Sequence, residues 1–549
     1  MTTRRQGPSI LDALASLRPW SLGVVAVAVL AVASPLGAAV ATPVLKWVRG
    51  GCFTSWCQTG WYGSPAVADL DGDGTVEVIW ASYDLVAVKG TDGTLVWRSA
   101  SGQRSWPGVV VADLDGDGAL EIAVGRGGNE LAVVEADGAL AWSRHPFAGG
   151  EVRTLAAADL DGDDRVELLV GRASSGSTQQ VAVYSSGGDL RPGWPARRDG
   201  EPGYGAGMYN ENLAVGDLDG DGRPEIYAPT DTHYVSVFDR DGNQRAADPA
   251  TWPGKVWSQV GVHVDLAADL RGYAECGVEH RPNFANAAPA IGDLDRDGSL
   301  ELVLPGDVYD CSIGDPDGDL HYLPWILRAD RRRATVGGVD WTVLPTAEPG
   351  SGPLSQDYSV IENAVANAVL ADLDGDGRRE VLLPSYDGRL HVWWLDKSEH
   401  GLWPFAVPGS GIRFASEPAV ADLDGDGQAE VIFASWPEKN TGRTGDLFVL
   451  SSSGQILQQV ALPAPFGSAT WNGALGAPTL ADLDGDADLE LVLGTASTGL
   501  VAYDLPGTAN ARRLWPTGRG SRLRDGNLPL ALFRDGFETG APLRWRRTP

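Results

Sequence analysis

The sequence predicts an all-β protein, a β-propeller of eight four-stranded blades (seven is the alternative) with a calcium loop in each. Three observations predict it. One acidic nonapeptide recurs eight times along the 549 residues. A near-continuous apolar run follows each copy, as in "EVIWAS", "EIAVGR" and "ELVLGT", which is the pattern of a strand buried on both faces. Asp-Gly and Ser-Gly turn signals then recur between β-like runs, and no stretch reads as a convincing helix.

The acidic loops begin at Asp69, Asp113, Asp159, Asp217, Asp293, Asp372, Asp422 and Asp482, with spacings of 44, 46, 58, 76, 79, 50 and 60 residues. Each unit has the same order: a short apolar entry ("PAVA", "PTLA"), the loop, the buried run, a second β-like run ("DLVAVKG", "LHVWWLD") and a turn into a fourth. Four strands in a minimum period of 44 residues suit a propeller blade; a linear β-solenoid has shorter, more uniform rungs. The two long intervals carry insertions around Asp241–Asn286 and Pro305–Asn363. Blades cannot bury both faces alone, so the ring must close. "PVLKWVRG", Pro43–Gly50, is the candidate strand for completing the last blade.

The aligned loops read D-L-D-G-D-G-x-x-E, with Asp at positions 1, 3 and 5 and Glu at position 9 in all eight. Alternate Asp residues in a tight loop turn their carboxylates toward one point, and the carbonyl at position 7 and Glu at position 9 complete an oxygen cage. Such a cage suits Ca²⁺ better than Mg²⁺, which keeps its waters. The predicted ligands are Asp69, Asp71, Asp73, Thr75 and Glu77; Asp113, Asp115, Asp117, Ala119 and Glu121; Asp159, Asp161, Asp163, Arg165 and Glu167; and Asp217, Asp219, Asp221, Arg223 and Glu225. The second half of the chain repeats the set with Asp293, Asp295, Asp297, Ser299 and Glu301; Asp372, Asp374, Asp376, Arg378 and Glu380; Asp422, Asp424, Asp426, Gln428 and Glu430; and Asp482, Asp484, Asp486, Asp488 and Glu490.

An EF-hand starts in the same way but needs Glu at position 12. Here position 12 is Trp80, Val124, Val170, Ala228, Leu304, Leu383, Phe433 or Leu493, so the loop joins two buried strands instead. Position 2 is Leu in every copy, which predicts a plug beneath the loop. Position 6 calls for a left-handed backbone, hence Gly. Asp164 and Ala487 depart from this, and Ala487 should cost on the order of 1 kcal/mol, making site eight the weakest. Arg296, at position 4 of the fifth copy, is expected to point outward. Sites of extracellular strength, Kd about 10⁻⁴–10⁻³ M, would each add roughly 1.4 kcal/mol at tenfold ion excess. Eight of them add about 11 kcal/mol, comparable to the stability of a whole domain.

On these residues the unit "PAVADLDGDGTVEVIWAS…DLVAVKGTDGTLVW" resembles the FG-GAP/VCBS repeats of integrin α-subunit propellers and of many secreted bacterial proteins. The resemblance covers about Thr42 to Gly518 and implies structural Ca²⁺ in the loops. "WPTGRGSRLRDGN", Trp515–Asn527, is similar to the tail that often follows the last such repeat. Integrin-like propellers fill only some blades, whereas every loop here keeps its acids, which is more similar to bacterial eight-bladed members.

Composition bounds the rest. A formal net charge of −30 disfavours nucleic acid and anionic membranes as partners and favours cations. Arg4 and Arg5, an apolar run from Leu22 to Ala33 and the exit Ala39-Val40-Ala41 predict a cleaved export signal over 1–41, followed by the propeller over 42–518 and a tail over 519–549. The protein is therefore expected outside the cell or in the periplasm, with no membrane span after cleavage. Four cysteines in an exported chain favour disulfides, with Cys52–Cys57 and Cys276–Cys311 the nearest pairs in sequence among three connectivities.

No nucleophile, zinc, phosphate or dinucleotide motif is present in the sequence, and the histidines are scattered. "DPDGD" at Asp315–Asp319 has Leu323 where the cage needs Glu. Trp97, Trp142, Trp194, Trp252, Trp403 and Trp515 suggest packing between blades, with sugar stacking as the alternative. "YGAGMYNEN", Tyr204–Asn212, and the two insertions are the expected ligand surfaces. The predicted function is a monomeric binding or adhesion scaffold for an extracellular protein or glycan, with no catalytic residue and no organic cofactor. The alternative is a polysaccharide lyase, because rhamnogalacturonan lyases of the eight-bladed kind carry similar loops.

Overall fold

The computed structural model describes residues 39–52, 63–173, 179–195, 207–229, 233–263, 282–284, 287–310, 319–345, 352–355 and 364–528, with single positions 1, 357 and 360. The basic pair and apolar run of the export signal, Cys57, Cys276 and Cys311, Asp315, and the C-terminal stretch Leu532–Arg547 all lie outside the described residues. No helix among the described residues is long and apolar enough to cross a membrane.

Eight blades form one ring of antiparallel sheets, and the first three strands of each run from the centre outward in chain order. Blade 1 is Ala66–Ala68, Glu77–Ala81, Asp84–Lys89 and Leu95–Ala100. Blade 2 is Val110–Ala112, Glu121–Arg126, Glu130–Val134 and Leu140–Arg144. The inner strands of the others are Glu151–Ala158, Ala214–Gly216, Ala290–Gly292, Val369–Ala371, Ala419–Asp422 and Thr479–Ala481. Blades 3 and 4 keep three strands, and their fourth shrinks to single bridges, Tyr184–Leu190 and Phe238–Gln244. In blade 3, Pro192 follows within two residues of the bridge and supplies no N–H to continue the ladder.

The apolar runs do what their lack of alternation requires. Both faces of the second strands are buried, and apolar clusters form between neighbouring blades: Ile79 and Ala87 of blade 1 meet Val111 and Ile122 of blade 2, and Val492 of blade 8 meets Val78 of blade 1. Val44–Gly50 pairs antiparallel with Gly499–Leu505, so the predicted N-terminal strand is the outermost strand of blade 8. The ring thus closes by hydrogen bonds between the two ends of the propeller.

Tryptophans join one blade to the next. The indole N–H of Trp47 donates to Gly90 O at 2.7 Å, Trp97 to Ala136 O at 2.7 Å, Trp142 to Ser186 O at 3.2 Å, Trp194 to Arg240 O at 3.1 Å and Trp403 to Ser452 O at 2.8 Å. Each acceptor belongs to the outer turn of the following blade. The ring lies so close to that turn that a Cβ on Gly93 would stand 2.7 Å from Trp47, and one on Gly138 equally close to Trp97. Packing between blades is therefore the role of these residues.

After the last blade the chain turns into the central channel. Arg512–Trp515 pairs with the inner strand of blade 7. Past Gly518, where the sequence places the end of the propeller, the chain stays inside the ring as far as Leu528. The carbonyl of Pro516 accepts from Leu480 N of blade 8, Arg522 from Val111 of blade 2, Leu523 from Ala157 of blade 3, Asp525 from Val215 of blade 4 and Gly526 from Ile291 of blade 5. This strap satisfies inner-strand amides that would otherwise face the channel unpaired. It carries two fully buried guanidinium groups. Arg524 donates to Val109, Ser64 and Pro65 carbonyls, and Arg519 to Leu213 and Pro289 carbonyls. Buried Glu417 accepts from Arg519 N at 2.8 Å and from Asn367 at 2.7 Å, and buried Glu211 accepts from Gly108 N at 2.6 Å. Burial, reinforced by the charge of Glu417, raises the pKa of Glu211 to about 7.

Candidate metal centres

In every blade the acidic loop links the inner strand to the second, so all eight loops emerge on one face of the ring. Beneath each loop the position-2 leucine is buried, from Leu70 to Leu483, and so is every position-12 residue. The position-9 glutamates are buried as well. In seven loops Oε2 of that glutamate accepts the backbone N–H of the position-2 leucine at 2.6–3.1 Å. In the fourth loop Glu225 Oε2 accepts from the Tyr227 hydroxyl at 3.4 Å instead.

The aspartates hold the turn from inside. The position-5 carboxylate accepts the position-7 N–H in all eight loops at 2.7–3.0 Å, which fixes Thr75, Ala119, Arg165, Arg223, Ser299, Arg378, Gln428 and Asp488 in the turn. Position 1 accepts from position 6, as in Gly74 N to Asp69 at 2.9 Å and Ala487 N to Asp482 at 3.3 Å. Position 3 accepts from position 5, as in Asp73 N to Asp71 at 3.1 Å. At position 1 both oxygens accept backbone amides, as Asp69 does from Gly72 and Gly74, whereas at positions 3 and 5 the amides take Oδ1 and leave Oδ2 for a ligand. In loops 1 to 5, three carboxylates bring one oxygen each to within 4.8 Å of one another.

The left-handed backbone extends further than expected. Position 6 has φ of 68° at Asp164 and 75° at Ala487, but position 4 is left-handed too, at 73° in Gly72 and 62° in Arg296. Arg296 does not simply point outward. Its guanidinium reaches over loop 6, 3.7 Å from Asp372 Oδ2, because the left-handed turn aims position 4 at the neighbouring blade.

The donor chemistry fits a hard divalent cation: the donors are oxygens, mostly anionic, gathered around a point. Asp422 Oδ1 in loop 7 is buried with no hydrogen-bond partner, an oxygen that needs a cation or donor. Burial, with the neighbouring aspartates adding to it, raises the carboxyl pKa of Glu121 and Glu301 to about 7 and of Glu380 and Glu430 to about 8. Three loops also hold a basic side chain that their local sequence does not announce: Arg191 in loop 3, Arg245 in loop 4 and Lys46 in loop 8.

Two sequence expectations change. Met208, Asn210, Glu211 and Asn212 of the expected ligand surface are buried, and Asn212 donates to Ala287 O at 2.8 Å, so these residues pack inside the ring. The histidines are less scattered in space than along the chain. The buried rings of His233 and His263 lie 4.8 Å apart, and buried His391 stands between Asp387 and Glu399, 3.2 Å from each.

The family described as FG-GAP-like repeat matches residues 113–170, 159–228 and 372–433. Each match runs from the first Asp of one loop to position 12 of the next. FG-GAP-like repeats thus stand in three places along an eight-bladed propeller. A comparison with curated proteins finds no match. Among solved structures the propeller is similar to the V. cholerae biofilm matrix protein Bap1, with 14% identity, 87% of this chain and 94% of that chain covered, and a TM-score of 0.49. It is also similar to the exotype rhamnogalacturonan lyase YesX, with 19% identity, 80% and 71% coverage and a TM-score of 0.45. A third likeness is the computationally designed Ika8 protein, with 11% identity, 84% and 99% coverage and a TM-score of 0.43.

Proposed function

We propose that this chain is an exported, calcium-stabilised propeller that serves as a binding or adhesion scaffold for extracellular protein or glycan ligands. The observation that carries this reading is the filled channel. Glu211, Glu417, Arg519 and Arg524, the acid and base groups gathered at the ring's centre, are buried and engaged with the strap and the inner strands. What remains for a partner is the outer surface of a rigid ring, where loops on a fixed scaffold are suited to recognition. Ca²⁺ in the cages would neutralise converging carboxylates and hold the rim, and disulfides at Cys52–Cys57 and Cys276–Cys311 would suit an exported chain.

The test is binding of the purified protein to glycan and protein arrays, with and without EGTA, beside incubation with pectic polysaccharides and Ca²⁺ read by ultraviolet absorbance. Ligand capture without unsaturated products supports the scaffold. Formation of unsaturated products would replace it with a lyase.

A further inference from the structure

The three basic side chains that enter the acidic loops all do so in the same way. Arg191 pairs with Asp161 Oδ2 at 2.8 Å and with Glu167 Oε1. Arg245 pairs with Asp219 Oδ2 and, at 3.4 Å, with Glu225 Oε1. Lys46 pairs with Asp484 Oδ2 and, at 2.8 Å, with Glu490 Oε1. Each cation therefore takes Oδ2 of position 3 and Oε1 of position 9. These are oxygens that the loop's own amides leave free, and the ones a metal in the cage would use.

All three come from one register of the blade. The residue after position 9 pairs with the third strand, that residue pairs with the fourth strand, and the cation is the next residue along. The rungs are Leu168–Tyr184–Leu190 before Arg191, Ile226–Phe238–Gln244 before Arg245, and Leu491–Tyr503–Leu45 before Lys46. The same rung in blades 1, 2, 5 and 7 ends at Leu95, Leu140, Arg333 and Ile456. The next residues there are Val96, Ala141, Ala334 and Leu457, which carry no charge. In blade 6, Asp374 Oδ2 is covered by the neutral indole N–H of Trp394 at 3.1 Å, and in blade 5, Asp295 Oδ2 takes the Gly337 amide at 2.5 Å. A neutral donor leaves the carboxylate charge in place for a metal, whereas a fixed guanidinium or ammonium cancels it and repels a second cation. Arg296 is a different case, a largely exposed group that touches position 1 of loop 6 from the rim.

We propose that loops 3, 4 and 8 are closed by a side-chain cation of the protein in place of a metal ion, and that divalent cations sit in loops 1, 2, 5, 6 and 7. This rests on the calcium reading above and narrows it. One residue on the outer strand decides whether a blade is stapled by metal or by its own charge.

Equilibrium dialysis against Ca²⁺ in the millimolar range, with circular dichroism to confirm the fold, tests it. The unmodified protein is expected to bind about five ions, Arg191→Ala and Arg245→Ala about six each, and Val96→Arg, which brings a cation to loop 1, about four. Eight ions in the unmodified protein would overturn the partition and leave the calcium reading standing. No bound calcium would remove both. Five ions with no change in the folded arginine variants or in Val96→Arg would show that the side chain is not what closes the loop, and would overturn the proposal as well.

Discussion

Arg524 donates through Nη2 to the carbonyl oxygen of Pro65 at 3.0 Å, across 459 residues of sequence. The same guanidinium holds Val109 O at 3.0 Å and Gly518 O at 2.7 Å, so one buried cation links the strap to the entries of blades 1 and 2. Its removal leaves carbonyls unpaired and takes from Glu211 one of its two compensating charges, the other being Arg519. Arg524→Met is expected to cost about 3–5 kcal/mol in chemical denaturation, and Arg524→Lys to recover only part of it, because an ammonium cannot span the same fork. Unchanged stability in Arg524→Met would show that the strap is dispensable.

The tryptophan links make a second prediction. Trp47→Phe keeps the ring but loses the bond to Gly90 O, and is expected to cost about 1 kcal/mol. Gly93→Ala should cost more, about 2 kcal/mol or above, since it adds left-handed strain at a φ of 72° to a clash with Trp47. Thermal melting of both variants checks the order; equal effects would contradict it.

Stability should fall as pH rises, and outside the acidic loops two groups of opposite charge type contribute to the fall. Burial lowers the pKa of His391, but hydrogen bonds and charge from Asp387 and Glu399 outweigh it and raise the value to about 10. A raised folded value means that this stabilisation is full below the ordinary histidine range, near 6.5, and is lost toward pH 10. Glu211, raised to about 7 by burial, likewise favours the folded state most below 4.5 and loses that contribution by neutral pH. Melting curves across pH should show both slopes. Glu211→Gln should flatten the acid one and His391→Gln the alkaline one, and a pH profile that neither variant alters would refute the assignments.

Calcium removal should lower the melting temperature, with recovery on adding Ca²⁺ back. In the same assay Ala487→Gly is expected to stabilise by about 0.5–1 kcal/mol, because its φ of 75° suits glycine. If EGTA leaves melting unchanged, the loops hold their shape without metal.

Much of this architecture is written locally. The eight Asp-Leu-Asp loops, the buried leucine at position 2, the apolar residue at position 12 and the closing strand at Val44–Gly50 all follow from a short repeat whose periodicity dictates what is buried. These features depend on neighbours a few residues away, or on the need of any blade to cover its faces. The partners of Trp47 and Arg524, the burial of Glu211 inside the channel and the reach of Arg296 over loop 6 depend on residues brought together from distant parts of the chain. So does the difference among loops whose ligand positions read alike. Asp161 and Asp71 occupy the same place in the same motif, yet Asp161 faces Arg191 from the outer strand while the matching residue for Asp71 is Val96. The repeat alone determined that eight carboxylate cages exist. Only the folded ring, by setting one outer-strand residue against each cage, decided which of them already contains a positive charge.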